Sequence, residues 1–301
     1  MKKPLFWVWV FVVAATCYGS SVVFFDVNRY LGFGIQYFSA VSIGGEDPEP
    51  SPSPTPDPGP PPLTNAVSVD WGATNTTKFC AVADDASMDW STALSAGAWV
   101  KCASGAESVA LGKVNYNSSR REWFFERDYV DGSKFSVFLS SPTSQNCKVY
   151  RSSITVCDSA WHHFAFTFAG GTDTLKLYVD GVEDTTPTLD TNNACGSIKN
   201  TDATFLISGA YNGAGVITHF QGLIDEPAVW LSTLTADDIA EIYNSGEPVD
   251  LSALDSASGL MSWWRMGDDA SDSTTTLIDQ VGSNDGACTA LVAGDFSSDV
   301  P

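Results

Sequence analysis

From Asn65 onward, apolar and polar positions alternate in short runs broken by Gly, Asp, Asn and Ser. A period of two is the mark of a strand with one buried face. The pattern predicts strands at residues 66–69, 98–102, 108–114, 122–128, 134–140, 163–168, 175–179, 204–208 and 222–230. In FAFTF, residues 164–168, the phenylalanines share one face. In LKLYVDG, Leu175, Leu177 and Val179 share one face and Asp180-Gly181 supplies a turn. Only TADDIAEIY, residues 235–243, has helical spacing. Thr235 is placed to cap it, and Asp237 and Asp238 sit where the helix dipole favours negative charge. Many short strands with one short helix predict an all-β protein, a jelly-roll β-sandwich.

The chain before this region has a different texture. Residues 46–62, EDPEPSPSPTPDPGPPP, hold nine of the fifteen prolines and no other apolar side chain. Such a stretch is a stiff proline-rich linker extending about 3.1 Å per residue, roughly 50 Å in all. Ahead of it, residues 26–45 form a short connecting segment. Residues 1–25 begin with Met-Lys-Lys and continue with an uncharged apolar run. They read as a signal peptide, a signal anchor, or an apolar arm that docks into a larger assembly. The expected organisation is therefore an N-terminal segment, a tether, and a sandwich over residues 63–301. Within it, residues 251–301 supply strands that complete or extend the fold.

The formal net charge is −21, from 36 acidic and 15 basic residues. A surface this acidic repels phosphate, so nucleic acid is excluded as a partner. Seven cysteines are present: Cys17 in the apolar N-terminus, and Cys80, Cys102, Cys147, Cys157, Cys195 and Cys288 beyond it. None has CxxC spacing and histidines number three, so zinc is poorly supported. An even set in a strand-rich domain fits disulfides formed in an oxidising compartment. The short separation of Cys147 and Cys157, with a reversal at Arg151-Ser152-Ser153, predicts that these two pair.

Three stretches resemble the laminin-G-like, concanavalin A-like lectin/glucanase family. Trp161-His162-His163-Phe164-Ala165-Phe166-Thr167, followed by Leu175 to Gly181, is similar to the family's tryptophan–histidine hairpin. Phe220-Gln221-Gly222-Leu223-Ile224-Asp225-Glu226-Pro227, running on to Ile242-Tyr243, resembles its Ile-Asp-Glu strand and following helix. Residues 66–72 with Ala98-Trp99-Val100-Lys101 resemble its opening. Pro227 and the cysteine-bearing insert 142–158 depart from the pattern. In the tail, Leu260 to Asp268 and Asp279 to Gly286 look like the first strand and loop of a laminin-G unit. This tail is similar to the ends of laminin-G-like proteins in marine phage particles and bacteria.

The resemblance implies a jelly roll that recognises a surface, with a glycan as the expected ligand. It also implies calcium as a possible cofactor, because Asp225 stands at the Ile-Asp-Glu position where some relatives hold it and Asp70 matches the family's early aspartate. Family glucanases carry an E-x-D-x-x-E strand, which this sequence lacks. The nearest run is Glu122-Trp-Phe-Phe-Glu126-Arg-Asp128. On a regular strand Glu122 and Glu126 share a face roughly 13 Å apart, too far for glycoside hydrolysis, while Glu126 and Asp128, two residues apart, fall near the lower inverting limit of about 6.5 Å. His162 and His163 are strand neighbours facing opposite sides, which disfavours a shared metal. Tyr116, Asn117, Tyr211 and Asn212 stand in loop-like contexts and are the residues expected to contact sugar. The expected function is non-catalytic recognition or adhesion at a cell or particle surface, by a secreted or surface-anchored protein. Membrane anchoring or docking into an assembly would run through residues 1–45. The alternative is a decoration or fibre protein on a virus particle, and glycoside hydrolysis is the weakest of the three.

Overall fold

The computed structural model describes residues 63–117 and 119–301. The expectations for the N-terminal segment, the connecting segment and the linker fall on residues outside these. Two antiparallel sheets make up a sandwich. The eight-stranded sheet runs Val182–Glu183, Thr174–Val179, Trp161–Ala169, Ala93–Lys101, Leu223–Trp230, Ser68–Asp70, Phe296–Ser297, with Leu260–Trp263 paired beside Leu223–Trp230. The eleven-stranded sheet runs Thr188–Asn192, Ser144–Arg151, Phe135–Ser141, Arg120–Arg127, Ser108–Asn115, Phe205–Ile207, Phe79–Val82, Gly286–Thr289, Thr276–Leu277. A small hairpin, Ala210–Tyr211 with Val216–Ile217, joins it alongside Ser108–Asn115.

The alternation read from sequence is what closes the sandwich. Phe164, Phe166 and Phe168 enter the core from one sheet, and Trp123, Phe125, Val137 and Leu139 meet them from the other. Trp123 packs edge-on to Phe166 with ring centroids 5.4 Å apart. Asp180 and Gly181 both have positive φ, the mirror-image turn that suits the twist of a two-residue hairpin. The helix spans Ala236–Tyr243. Thr235 caps it through a reciprocal box with Asp238, satisfying N–H groups that the first turn leaves unpaired. Ile239 and Ile242 turn inward and cover the outer face of the eight-stranded sheet, where they join Trp230, Trp263 and Leu260 in a second apolar cluster.

The C-terminal residues are part of the sandwich. Leu260–Trp263 lies antiparallel to the second half of Leu223–Trp230, and Ser68–Asp70 occupies the same edge along its first half. The adjacent tryptophans go to opposite faces. Trp264 is fully buried in the main core, stacked on Phe205 at 5.4 Å, and Trp263 enters the cluster beneath the helix.

The disulfides differ from the expected pairing. Cys147 bonds to Cys195 and Cys157 bonds to Cys102, while Cys80 bonds to Cys288. Residues 144–151 form a paired strand rather than a hairpin closed on itself. That strand holds Cys147 beside the return segment at Asn193, while the following loop carries Cys157 across to the end of Ala93–Lys101. Proximity in sequence therefore does not become proximity in space.

Candidate functional site

The four residues expected to contact sugar come together, although nearly a hundred positions separate the two pairs. The Ser108–Asn115 strand ends at Tyr116 and Asn117, and the Ala210–Tyr211 strand runs parallel to that end, with Tyr211 opposite Asn115. The Tyr116 N–H donates to the Tyr211 carbonyl at 2.8 Å. Asn212 closes its own turn, its side-chain oxygen accepting from the N–H groups of Ala214 and Gly215. Asn117 is exposed, and Tyr211 and Asn212 are half-buried. Tyr116 is less open than its loop position suggests. The Arg121 guanidinium lies 4.9 Å from its ring centre, and its edge meets Phe124 at 5.6 Å. Burial, with the charge of Glu126 beside it, pushes its phenol well above the usual range.

The carboxylates of the Arg120–Arg127 strand do not converge. Pairing with Ser108–Asn115 shifts register between Lys113 and Val114, leaving Glu122 as the extra residue of a bulge. The bulge turns Glu122 inward rather than onto the face of Glu126. There it accepts from Trp90 Nε1 at 2.8 Å and pairs with the buried Lys113 ammonium at 3.2 Å. Burial raises its carboxyl to about 7 even against that cation. Glu126 lies on the outer side with Tyr116, and burial, reinforced by Glu107 and Asp128, raises it to about 9. Sequence reasoning missed Glu107. It sits at the end of the small-residue loop stretch Ala103-Ser104-Gly105-Ala106 with no periodic signal, and the pairing of Val109 with Glu126 brings it there.

Asp70 and Asp225 lie on neighbouring strands, with Asp70 opposite Leu223. Asp70 accepts from the Gly72 N–H at 2.7 Å. Asp225 is fully buried, and both its oxygens are engaged, one by Asn65 Nδ2 at 3.0 Å and one by the Glu226 N–H at 3.0 Å. Burial and the adjacent Glu226 push its carboxyl well above the ordinary range. A calcium ion needs six to eight oxygens with ionised carboxylates among them. Among the described residues no group of three or more His, Cys, Asp or Glu side chains is arranged to hold a metal. As placed, Asp70 and Asp225 do not fit a calcium cage between them.

Glu226 has positive φ at the bulge that interrupts pairing of Leu223–Trp230 with Ala93–Lys101. One of its oxygens accepts from Trp263 Nε1, and burial raises the carboxyl to about 8. The other oxygen lies 3.6 Å from Arg265 Nε, beyond hydrogen-bond distance, and His163 Nδ1 and Trp230 Nε1 have no hydrogen-bond partner among the described residues; Glu226, His163 and Trp230 all line one small cavity of about 10 Å³. That is room for a single bridging water. The two histidines separate as expected. His162 bonds Asp180 at 2.7 Å and Asp158 at 3.2 Å, whereas His163 is buried and burial lowers it to about 4.

Comparison with known families gives a match to the model described as Laminin_G_3, concanavalin A-like lectin/glucanases superfamily, over residues 74–240. No curated protein sequence matches. Among solved structures, one from Bacteroides ovatus ATCC 8483, a protein whose carbohydrate binding is itself an inference, is 15% identical with a TM-score of 0.57. The alignment covers 75% of this chain and 59% of that one, and at this identity the likeness is one of fold. The native heptameric SAP-like pentraxin from Limulus polyphemus is 14% identical, covering 73% of this chain and 94% of that one, with a TM-score of 0.46. The CBM40 of the Ruminococcus gnavus IT-sialidase, bound to alpha2,3 sialyllactose, is 13% identical, covering 58% and 96%, with a TM-score of 0.43.

Proposed function

The chain belongs to the concanavalin A-like lectin/glucanase superfamily, and on that premise we propose that it is a non-catalytic recognition module that binds carbohydrate at a surface. The observation that carries the reading is the meeting of Tyr116 and Asn117 with Tyr211 and Asn212, fixed by the Tyr116–Tyr211 backbone hydrogen bond. Amide and phenol groups on a rigid sheet end offer the donors and acceptors that sugar hydroxyls need, with little ordering cost on binding. Hydrolysis is disfavoured by the same strand that could have supported it. Glycosidases set two carboxyls about 5–5.5 Å or about 6.5–9.5 Å apart across a bond, whereas Glu122 is sealed against Lys113 and Glu126 is held by Tyr116 and Glu107. Three disulfides support an exported protein, since such bonds persist in oxidising compartments.

The test is a glycan array probed with the full chain, with calcium and with a chelator. Binding to a restricted set of glycans is expected, and the hydrogen-bonded state of Asp225 predicts that the pattern survives chelation. Absence of binding to every glycan under both conditions would overturn the reading.

A further inference from the structure

Tyr129 is the one aromatic side chain among the described residues that stands exposed, at 60%, and its neighbour Val130 is 61% exposed. Val130 lines an open cleft of about 600 Å³ together with Asp131, Lys134, Arg151, Ser153 and Thr188, among others, and Tyr129 immediately precedes it in the chain. Clefts that take small ligands fall in the range of about 300–1,000 Å³. We propose that this cleft binds a neutral hexopyranose, stacked on Tyr129 and held by the polar side chains of its walls. The proposal rests on the carbohydrate-binding reading but places a sugar at a site distinct from the Tyr116–Tyr211 cluster.

Both walls are built before any ligand arrives. The buried Asp128 carboxylate accepts from the N–H groups of Val130 and Asp131 at 2.8 and 2.7 Å, from Ser136 Oγ at 2.5 Å and from Arg151 Nη1 at 3.2 Å. It thereby fixes the turn that carries Tyr129 and orients the guanidinium. On the other wall, Asp184 accepts from Ser152 Oγ, from the Ser153 N–H and from Ser153 Oγ. A preorganised site loses little conformational entropy when it binds.

The charge balance selects the class of sugar. Lys134 and Arg151 are opposed here by Asp128, Asp131 and Asp190. Arg151 is already paired with Asp128 and Asp190, and the Lys134 ammonium already donates to the Ser153 carbonyl. An acidic sugar would meet compensated cations on a chain of net charge −21. A neutral sugar is different, because its hydroxyls both donate and accept. They suit the Asp131 carboxylate, the Ser153 and Thr188 hydroxyls and the guanidinium edge together, while the apolar ring face covers the phenol. Tyr116 cannot offer that platform, because Arg121 already lies over its ring.

The experiment measures binding of the full chain, by isothermal titration, to neutral gluco-, manno- and galacto-oligosaccharides and to a matched set of uronate oligosaccharides. The variants are Tyr129→Ala, Tyr129→Phe and Asn212→Ala, each with its melting temperature recorded. Wild type is expected to bind at least one neutral oligosaccharide. Tyr129→Ala should weaken it by about tenfold or more with an unchanged melting temperature, and Tyr129→Phe should retain it. If Tyr129→Ala binds as wild type while Asn212→Ala loses affinity, this site is overturned and the carbohydrate reading stands. Preference for the uronates would overturn the assignment of a neutral sugar. Failure to bind any sugar would overturn both.

Discussion

Glu122, Glu126 and Glu226 are glutamates that folding removes from water, and their pH behaviour follows from that. Their carboxyls stand at about 7, about 9 and about 8 in the folded protein, against an unfolded value near 4.5. A raised carboxyl makes the folded state hold a proton that the unfolded state releases. The resulting stability is present below pH 4.5 and is lost as pH rises through the folded values. His163 acts in the opposite sense. Its folded value of about 4 lies below the usual 6.5, so its contribution is present above pH 6.5 and is lost as pH falls through about 4. The glutamates outnumber it above neutrality, where His163 no longer titrates. The melting temperature is therefore expected to fall between pH 6.5 and pH 9. Glu126→Gln, which removes one of these protons from the balance, should make that fall shallower. Calorimetry across that range checks both, and a melting temperature flat or rising with pH would contradict the assignment. None of this was legible in the sequence. Glu122 and Glu126 read as one face of a regular strand, because the charged pair Arg120-Arg121 before the bulge and the unbroken apolar run Trp123-Phe124-Phe125 after it leave no alternation for the bulge to interrupt.

At the scale of elements, legibility followed local signals. The Trp161–Ala169 and Thr174–Val179 hairpin and the Ala236–Tyr243 helix were readable because alternation, a turn pair and a cap each act over a few residues. Ser144–Arg151 was taken for an insert. Its Lys148 is buried, neutralised by Asp173 at 2.8 Å and donating a hydrogen bond to Asn192 Oδ1, partners that no local pattern announces. The cysteine pairing was hidden for the same reason, since it depends on which strands become neighbours. The tail was better marked, because an apolar run as dense as Leu260 to Met266 has to be buried. The Cys80–Cys288 bond ties that tail to Phe79–Val82 across 208 residues. In the chain-entropy account a loop this long contributes about 5 kcal/mol. Replacing both cysteines with serine should therefore give the largest loss of the three disulfides, against about 4 kcal/mol for the pairs separated by 48 and 55 residues. Denaturant unfolding of the three double variants ranks them, and an equal or smaller loss for Cys80–Cys288 would contradict the role given to the tail.

On the scale of the whole molecule, the sandwich is a rigid frame that presents loops, and its superfamily membership could be read from ordered motifs well before the site could. The loop cluster at Tyr116 and Tyr211 was named from composition and register then assembled it, whereas Tyr129 was passed over because it follows a strand of apolar and charged residues. Only the structure distinguishes an aromatic that packs from one that stands free. Affinity electrophoresis of the full chain tests the central claim most directly, through gels that contain neutral polysaccharides and gels that contain uronate-rich ones. Retarded migration in at least one neutral gel, with ordinary migration in the uronate gels, is the predicted result. Unretarded migration in every gel would contradict the account.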